Sequence, residues 1–409
     1  MHVAMLSLFC CCAGLIAWVY FGYPLALNCG LLGRTKESRP AGETTCDIDN
    51  SAAAWPDISV IIPAHNEEAA IADKIRNLLD SDYPRDRMEI FVGSDGSSDR
   101  TQEIVERFRN DAVSLVSFPQ HRGKSAIQNA LVKLATGEIL VFTDADCLLA
   151  ADALRHLVEH FRDSQVGLVT GAPRYTNADD TGTTSNESLY LRYETWLRKA
   201  ESDSGILAMA SGSLFAVRRS LWKPLAPSHG DDFVLPLSIL RNGMRNVLEL
   251  RARPITSLAQ TTLRALLRLK VRIVSKDSCA LLENRDLLSP FRYGSAAIAL
   301  WSHKLLRWLV LFFMVAMFAS TLFLLNRPIF QIAIVLQVGF FAVAIVGIVC
   351  QEKIRARAFS VPASFVFVNI AAAIGILKAF TRHVSGLWEP DRIATKSAEP
   401  TTEFQRTQP

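Results

Sequence analysis

The sequence lacks an excess of charge of either sign: 44 Lys and Arg stand against 40 Asp and Glu. No basic stripe is visible, so nucleic acid is not expected as a partner. No CxxC spacing occurs among the eight cysteines, which removes the usual signal for a zinc site or a disulfide framework. Cys10, Cys11 and Cys12 lie together in an apolar run and the others are scattered. A reducing, cytoplasmic setting fits the central part of the chain. Charge is missing altogether from residues 3–27. That run has no basic segment before it and no small-x-small site after it, so it reads as a membrane anchor rather than a cleaved leader. Nor does an acidic residue fall inside any long apolar run, which argues against an ion-coupled transporter.

What is present is strongly segregated. Half of the residues are hydrophobic and the mean hydropathy is +0.19. The excess sits at the N-terminus and in the last quarter, where residues 305–325, 329–350 and 359–380 form three further runs. Each is long enough for roughly 30 Å of hydrocarbon. The expected organisation is an N-terminal transmembrane helix over 1–28, a soluble domain over 56–290, C-terminal transmembrane helices over 304–380 and a disordered polar tail over 394–409. Basic residues flank the runs: Arg34, Lys36 and Arg39; His303, Lys304 and Arg307; Lys353, Arg355 and Arg357. By the positive-inside rule all three clusters and the domain face the cytoplasm of a cell membrane. Lys378, Arg382 and His383 pull the C-terminus to the same side, so either one helix is interfacial or the tail is exported.

The central segment alternates apolar β-branched runs with helical spacing. Strands are expected at 58–62, 88–92, 113–118 and 138–143, with helices over 68–79 and 123–135 and another after residue 99. Alternation of this kind implies an α/β domain with a mostly parallel sheet, and such sheets bind ligands beyond the carboxyl ends of their strands. The polar clusters fall at those ends. Asp144 and Asp146, two apart after the fourth strand, can converge on one hard cation, Mg²⁺ or Mn²⁺, shared with diphosphate oxygens. Asp95, in GSDGSSD, could bond to a base or ribose or support the metal; an Asp-Gly turn is the plain alternative. Lys124 opens a helix, and a cation at a helix N-terminus suits a phosphate. His65, Asn66 and Glu67 follow Pro63 in a loop where Glu67 could face a nucleotide.

PAHNEE, GSDGSSD, the Gly-Lys helix and DAD, in this order and spacing, resemble the membrane-bound family 2 glycosyltransferases of GT-A fold, in particular their exopolysaccharide and cellulose synthase-like members. The resemblance implies a nucleotide-sugar donor contacted by Asp95, a metal on Asp146, and Asp144 near the diphosphate or sugar. It also implies an acceptor-side segment at ASGSLFAVRR, with Gly212 allowing close approach of a sugar. Asp231-Asp232 matches the family's acidic pair, with Asp232 at the position of the base that an inverting transfer requires. A helix N-cap is the structural alternative for this pair. The family's QxxRW motif aligns with Leu269-Lys270-Val271-Arg272-Ile273, where only the Arg is kept. That weakens the case for processive synthesis, though Arg272 and Lys270 can still face a diphosphate. Residues 263–274 also read as a basic amphipathic helix of the kind that lies on membranes.

The expected activity is therefore transfer of a hexosyl group from a nucleotide-sugar, UDP-linked by preference, to a lipid-linked or growing glycan acceptor. A processive synthase with partner subunits for export is the alternative within this class. A nucleotidyltransferase would leave Asp231, Asp232 and the apolar runs unexplained, and a non-catalytic scaffold would leave the acidic positions without a purpose.

Overall fold

The computed structural model describes residues 1–33, 55–109, 112–175, 182–227, 229–256, 263–350 and 356–381. Arg34, Lys36, Arg39, Lys353, Arg355, Arg382, His383 and the tail 394–409 lie outside the described residues.

The domain is built on a seven-stranded sheet of β1 (Ile58–Ala64), β2 (Met88–Asp95), β3 (Val113–Phe118), β4 (Ile139–Thr143), β6 (Val166–Gly171), β8 (Leu214–Arg218) and β9 (Arg245–Glu249), in the order β3-β2-β1-β4-β8-β6-β9. Every neighbouring pair is parallel except the two made by β8. The short strands β5 (Leu148–Leu149), β7 (Arg174–Tyr175) and β10 (Pro254–Thr256) form a second sheet.

The uniform apolarity of the strands has the expected cause: both faces are covered. On β1 the alternation of side chains sends Ile58, Val60, Ile62 and Ala64 to one core and Ile61 to the other. The first core includes Ile71, Ile75 and Leu78 of α2 (Ile71–Leu79), Val105 of α3 (Thr101–Glu106) and Leu154 and Leu157 of α5 (Ala153–Glu159). The second includes Ile127 and Leu131 of α4 (Lys124–Val132) and Leu235 and Ile239 of α7 (Asp231–Arg241). The four early strands and their helices fall within a few residues of expectation. Pro63 is a correction: it belongs to β1, opposite Gly93, rather than to the loop. Pairing of β1 with β4 stops at Ile61 and Phe142, so from Ile62 onward one side of β1 is unpaired and a residue without an N–H is tolerated.

A third core joins the domain to the C-terminal helices. Phe233, Leu237 and Leu240 of α7 meet Ala280 and Leu281 of α8 (Leu263–Glu283), Trp308, and Ala372 and Ile376 of α12 (Arg357–Phe380). The N-terminal helix α1 (His2–Asn28) docks Tyr23, Ala26 and Leu27 against Leu197 of α6 (Gly182–Asp203).

Three helices are long and apolar enough to cross a membrane: α1, α11 (Pro328–Val349) and α12. The run at 305–325 differs from expectation. It is split between α9 (Ser295–Trp308) and α10 (Val310–Leu322), which meet at a 61° bend. The polar residues of α9 explain the break. Lys304 pairs with Asp277 at 3.0 Å, and His303 and Arg307 each lie 2.9 Å from the Glu194 carboxylate. α9 is thus held on the domain, while the 13 residues of α10 diverge as an apolar segment. Among the described residues the count is three spans, or four if the bent pair is one.

Candidate active site

The carboxyl ends of β1, β2 and β4 lie side by side, which gathers His65, Asp95 and Asp144 at one edge of the sheet. Reversal of β8 completes the arrangement. Because Leu214 at its start pairs with Thr143 at the end of β4, the preceding loop with Gly212 arrives at the same edge. α4 and α7 then present their N-termini there.

Asp95 is 2% exposed. Its carboxylate accepts the main-chain N–H groups of Arg122 at 2.6 Å and Gly123 at 2.8 Å. Gly123 has φ +88°, a conformation that favours glycine, so Asp95 fixes the turn that leads into α4. Asp95, for which the sequence suggests a bond to the nucleotide or support of the metal, also organises the loop carrying Lys124. His65 donates through Nδ1 to the Asp95 carbonyl at 2.6 Å, and its ring stacks on that of His121 at 4.3 Å. Glu67 is buried, and its N–H donates to the Thr101 hydroxyl at 2.8 Å.

Lys124 is the hub of the cleft. Its Nζ donates to Asp144 Oδ1 at 2.9 Å and to the Gly212 carbonyl at 3.4 Å, and lies 3.4 Å from Asp231 Oδ2. Burial opposes its charge, but Asp144 and Asp231 outweigh that and raise its pKa. Four residues further along α4, Gln128 donates to Asp231 Oδ2 at 2.6 Å. Burial would raise Asp231, yet Lys124 and Gln128 bring it below the usual carboxylate value.

Its neighbour behaves in the opposite way. Asp232 is pushed up to about 7 by burial and by the nearby charges of Asp231 and Asp277. Both residues are in the first turn of α7, after Gly230 at the N-cap, so neither is the cap, although both sit where the helix dipole favours a carboxylate. A methyl group on Gly212 would sit 3.6 Å from Asp232 Oδ2 and 3.8 Å from Lys124 Nζ, which places Gly212 between the two.

Sequence reading missed Gln128, Lys276, Asp277 and the inward role of Lys304. Gln128 was recoverable, since position i+4 from Lys124 shares its helix face. Asp277 was not: it is buried and meets Lys304 from a distant helix. Lys276 is lowered by burial and by the Arg272 guanidinium, with Asp231 opposing, so α8 brings Lys276 towards the acidic pair with Arg272 beside it.

Asp144 and Asp146 offer hard oxygen donors at one strand end, and Asp146 is exposed. No group of three metal-binding side chains exists among the described residues. The donor set thus fits a cation held by one or two carboxylates and completed by phosphate oxygens, the habit of Mg²⁺. Burial raises Asp144, with Lys124 opposing it.

Residues 59–225 match the family model described as glycosyl transferase family 2. The chain carries a family 2 glycosyltransferase domain. Over 168 residues it is 31% identical to a beta-monoglucosyldiacylglycerol synthase of Trichormus variabilis, covering 40% of this chain and 36% of the relative. It is 29% identical over 168 residues to a poly-beta-1,6-N-acetyl-D-glucosamine synthase of Staphylococcus epidermidis, covering 41% and 40%. The chain spans less than half the length of these curated relatives. In fold it resembles a mannosyltransferase of Pyrobaculum calidifontis solved with GDP-Man and Mn²⁺, with a TM-score of 0.67 and 22% identity over 92% of this chain and 99% of that one. The match to the family model stops at residue 225, before Asp231 and Asp232, but the fold carries both to Lys124 and Gly212 beside Asp144.

Proposed function

We propose that this glycosyltransferase transfers a hexosyl group from a UDP-linked sugar to a lipid-linked or growing glycan acceptor on the cytoplasmic face of a cell membrane, with inversion. Mg²⁺ or Mn²⁺ would be held by Asp144 and Asp146. One observation carries this reading: Asp232, raised to about 7, stands across Gly212 from the Lys124–Asp144 pair. A base with a pKa near the working pH is what proton removal from an acceptor hydroxyl requires.

In this reading Asp232 takes the acceptor proton as the hydroxyl attacks the anomeric carbon. Asp231, kept ionised by Lys124 and Gln128, repels charge from Asp232 and so sustains its basicity. Lys124 moves from Asp144 to the diphosphate, assisted by Arg272 and Lys276. Pro63, His65, Glu67 and Asp95 shape the nucleoside side. When bound, the cation would offset charge developing on the leaving diphosphate.

The apolar helices support an acceptor at a membrane, and the names of the relatives include both a glycolipid and a glycan product. Retention of only Arg272 from the family's polysaccharide-synthase motif favours single addition over export with partner subunits. The test is nucleoside-diphosphate release by detergent-solubilised protein, across a panel of nucleotide-sugars with native lipids present. Cation-dependent release from one donor, lost in Asp146→Ala and Asp232→Asn, is expected; no release from any donor overturns the reading.

A further inference from the structure

Lys74 has no exposure to solvent. Its Nζ donates to the Thr143 hydroxyl at 2.8 Å and to the Cys147 carbonyl at 2.6 Å. Those two residues flank Asp144-Ala-Asp146, so one ammonium ties together both ends of the acidic loop from beneath. Three positions along α2, Asn77 donates to the Leu149 carbonyl at 2.8 Å and accepts the Leu149 N–H at 2.7 Å. The Thr143 hydroxyl in turn donates to the Ser213 carbonyl at 2.9 Å, next to Gly212, whose carbonyl receives Lys124. The acidic loop is thus seated on α2 by two buried bonds from Lys74 and connected to the acceptor-side loop through the Thr143 hydroxyl.

Two costs meet here. A desolvated ammonium is unfavourable unless its donors are used, and two carboxylates facing one point repel each other. Burial pulls Lys74 down to about 8, against the opposing pull of Cys147, Asp144 and Asp146. Lys124 serves the same loop from the open side of the cleft, where it can move to a ligand. Lys74 is sealed behind the loop and touches no substrate.

We propose that Lys74 is a positioning residue that sets the cation affinity of the Asp144–Asp146 loop by clamping both of its flanks. This rests on the cation-dependent reading given above. The charge of Lys74 by itself would repel a cation, whereas the clamp pre-organises the ligands, so the two contributions differ in sign. Loss of support behind a metal ligand typically weakens binding about 10- to 100-fold.

The experiment is Mn²⁺ binding to the full chain in detergent, read from the electron paramagnetic resonance of free Mn²⁺ with UDP, or with GDP in a second arm. Wild type is expected to bind and Asp146→Ala to fail. Lys74→Met, which removes both bonds, should bind Mn²⁺ at least about 10-fold more weakly, with its melting temperature without metal little changed. Lys74→Gln, which keeps a donor but no charge, should recover part of the loss. Binding by Lys74→Met within twofold of wild type, or tighter, overturns the proposal while the donor-site reading stands. A wild-type chain that binds no Mn²⁺ overturns both. Should neither Lys74 variant fold, Thr143→Val removes one anchor of the clamp and leaves the lysine in place; unchanged affinity there also overturns the proposal.

Discussion

Asp231 and Asp232 are adjacent in sequence and opposite in state. Asp231 spends its carboxylate on Lys124 and Gln128, whereas Asp232 is left among like charges and is pushed up to about 7. If Asp232 is the base, kcat/KM should rise about tenfold per pH unit below about 7 and level off above it, because only the ionised form accepts a proton. A flat profile between pH 5.5 and 7 would show that another group takes the proton. Asp232→Asn should lower kcat by about 10²- to 10⁴-fold. Stability should move the other way. With its folded pKa raised, the folded state binds more protons than the unfolded one between about 4 and 7, so this group makes the protein less stable as pH rises through that window. The Asn variant should therefore melt at or above the wild-type temperature above pH 7, as differential scanning fluorimetry can read.

Elements were legible in proportion to how local their causes are. β1 to β4 and α4 follow from apolar β-branched runs and glycine-marked turns. β8 does not reveal its reversed direction, because partner order in a sheet is a long-range matter, and its reversal is what delivers Gly212 to Asp144. Lys74 hides in the sequence because a lysine on an amphipathic helix normally belongs to the wet face. The bend between α9 and α10 escaped for a related reason: hydropathy over 305–325 cannot show that Arg307, or Lys304 just before the run, has a carboxylate partner on the domain. α8 has more than one role. Leu269 and Ile273 remain exposed, as a surface helix on a membrane would require, while Val271 and Val274 receive α12 at Gly375. A Cβ there would fall 2.7 Å from Val274 Cβ and 3.1 Å from the Val271 carbonyl. Gly375→Val should destabilise the protein by about 1–3 kcal/mol through overpacking. It should also disturb Arg272 on the same helix, so donor KM should rise while the pH profile keeps its midpoint. Unchanged melting in detergent would show that the two helices can separate freely.

At the scale of the whole molecule, the apolar helices are joined to the domain by a buried polar junction as well as by greasy contact. Glu201 of α6 is 1% exposed, His303 of α9 is 4% and Tyr23 of α1 is fully buried. Tyr23 donates to Glu201 Oε1 at 2.6 Å; His303 approaches the same oxygen at 2.7 Å through Nδ1 and Glu194 at 2.9 Å through Nε2. Three helices far apart in sequence thus share one carboxylate. Such a junction is a poor source of net stability, since the desolvation of its members nearly cancels their attraction, but a broken one is costly. His303→Leu should therefore lower stability by about 3–5 kcal/mol, leaving Glu201 buried without its imidazole. Replacing the set together, Tyr23→Phe with Glu201→Leu and His303→Leu, should restore most of the loss, because Glu194 keeps Arg307 at 2.9 Å and the Glu201 carboxylate is no longer there to be stranded. The single variant melting like wild type would mean that water reaches Glu201, and the junction would not be what orients α1 on the domain. If the triple variant is stable but slow with a membrane acceptor, the junction's worth lies in holding the cleft at a fixed attitude to the helices rather than in folding energy.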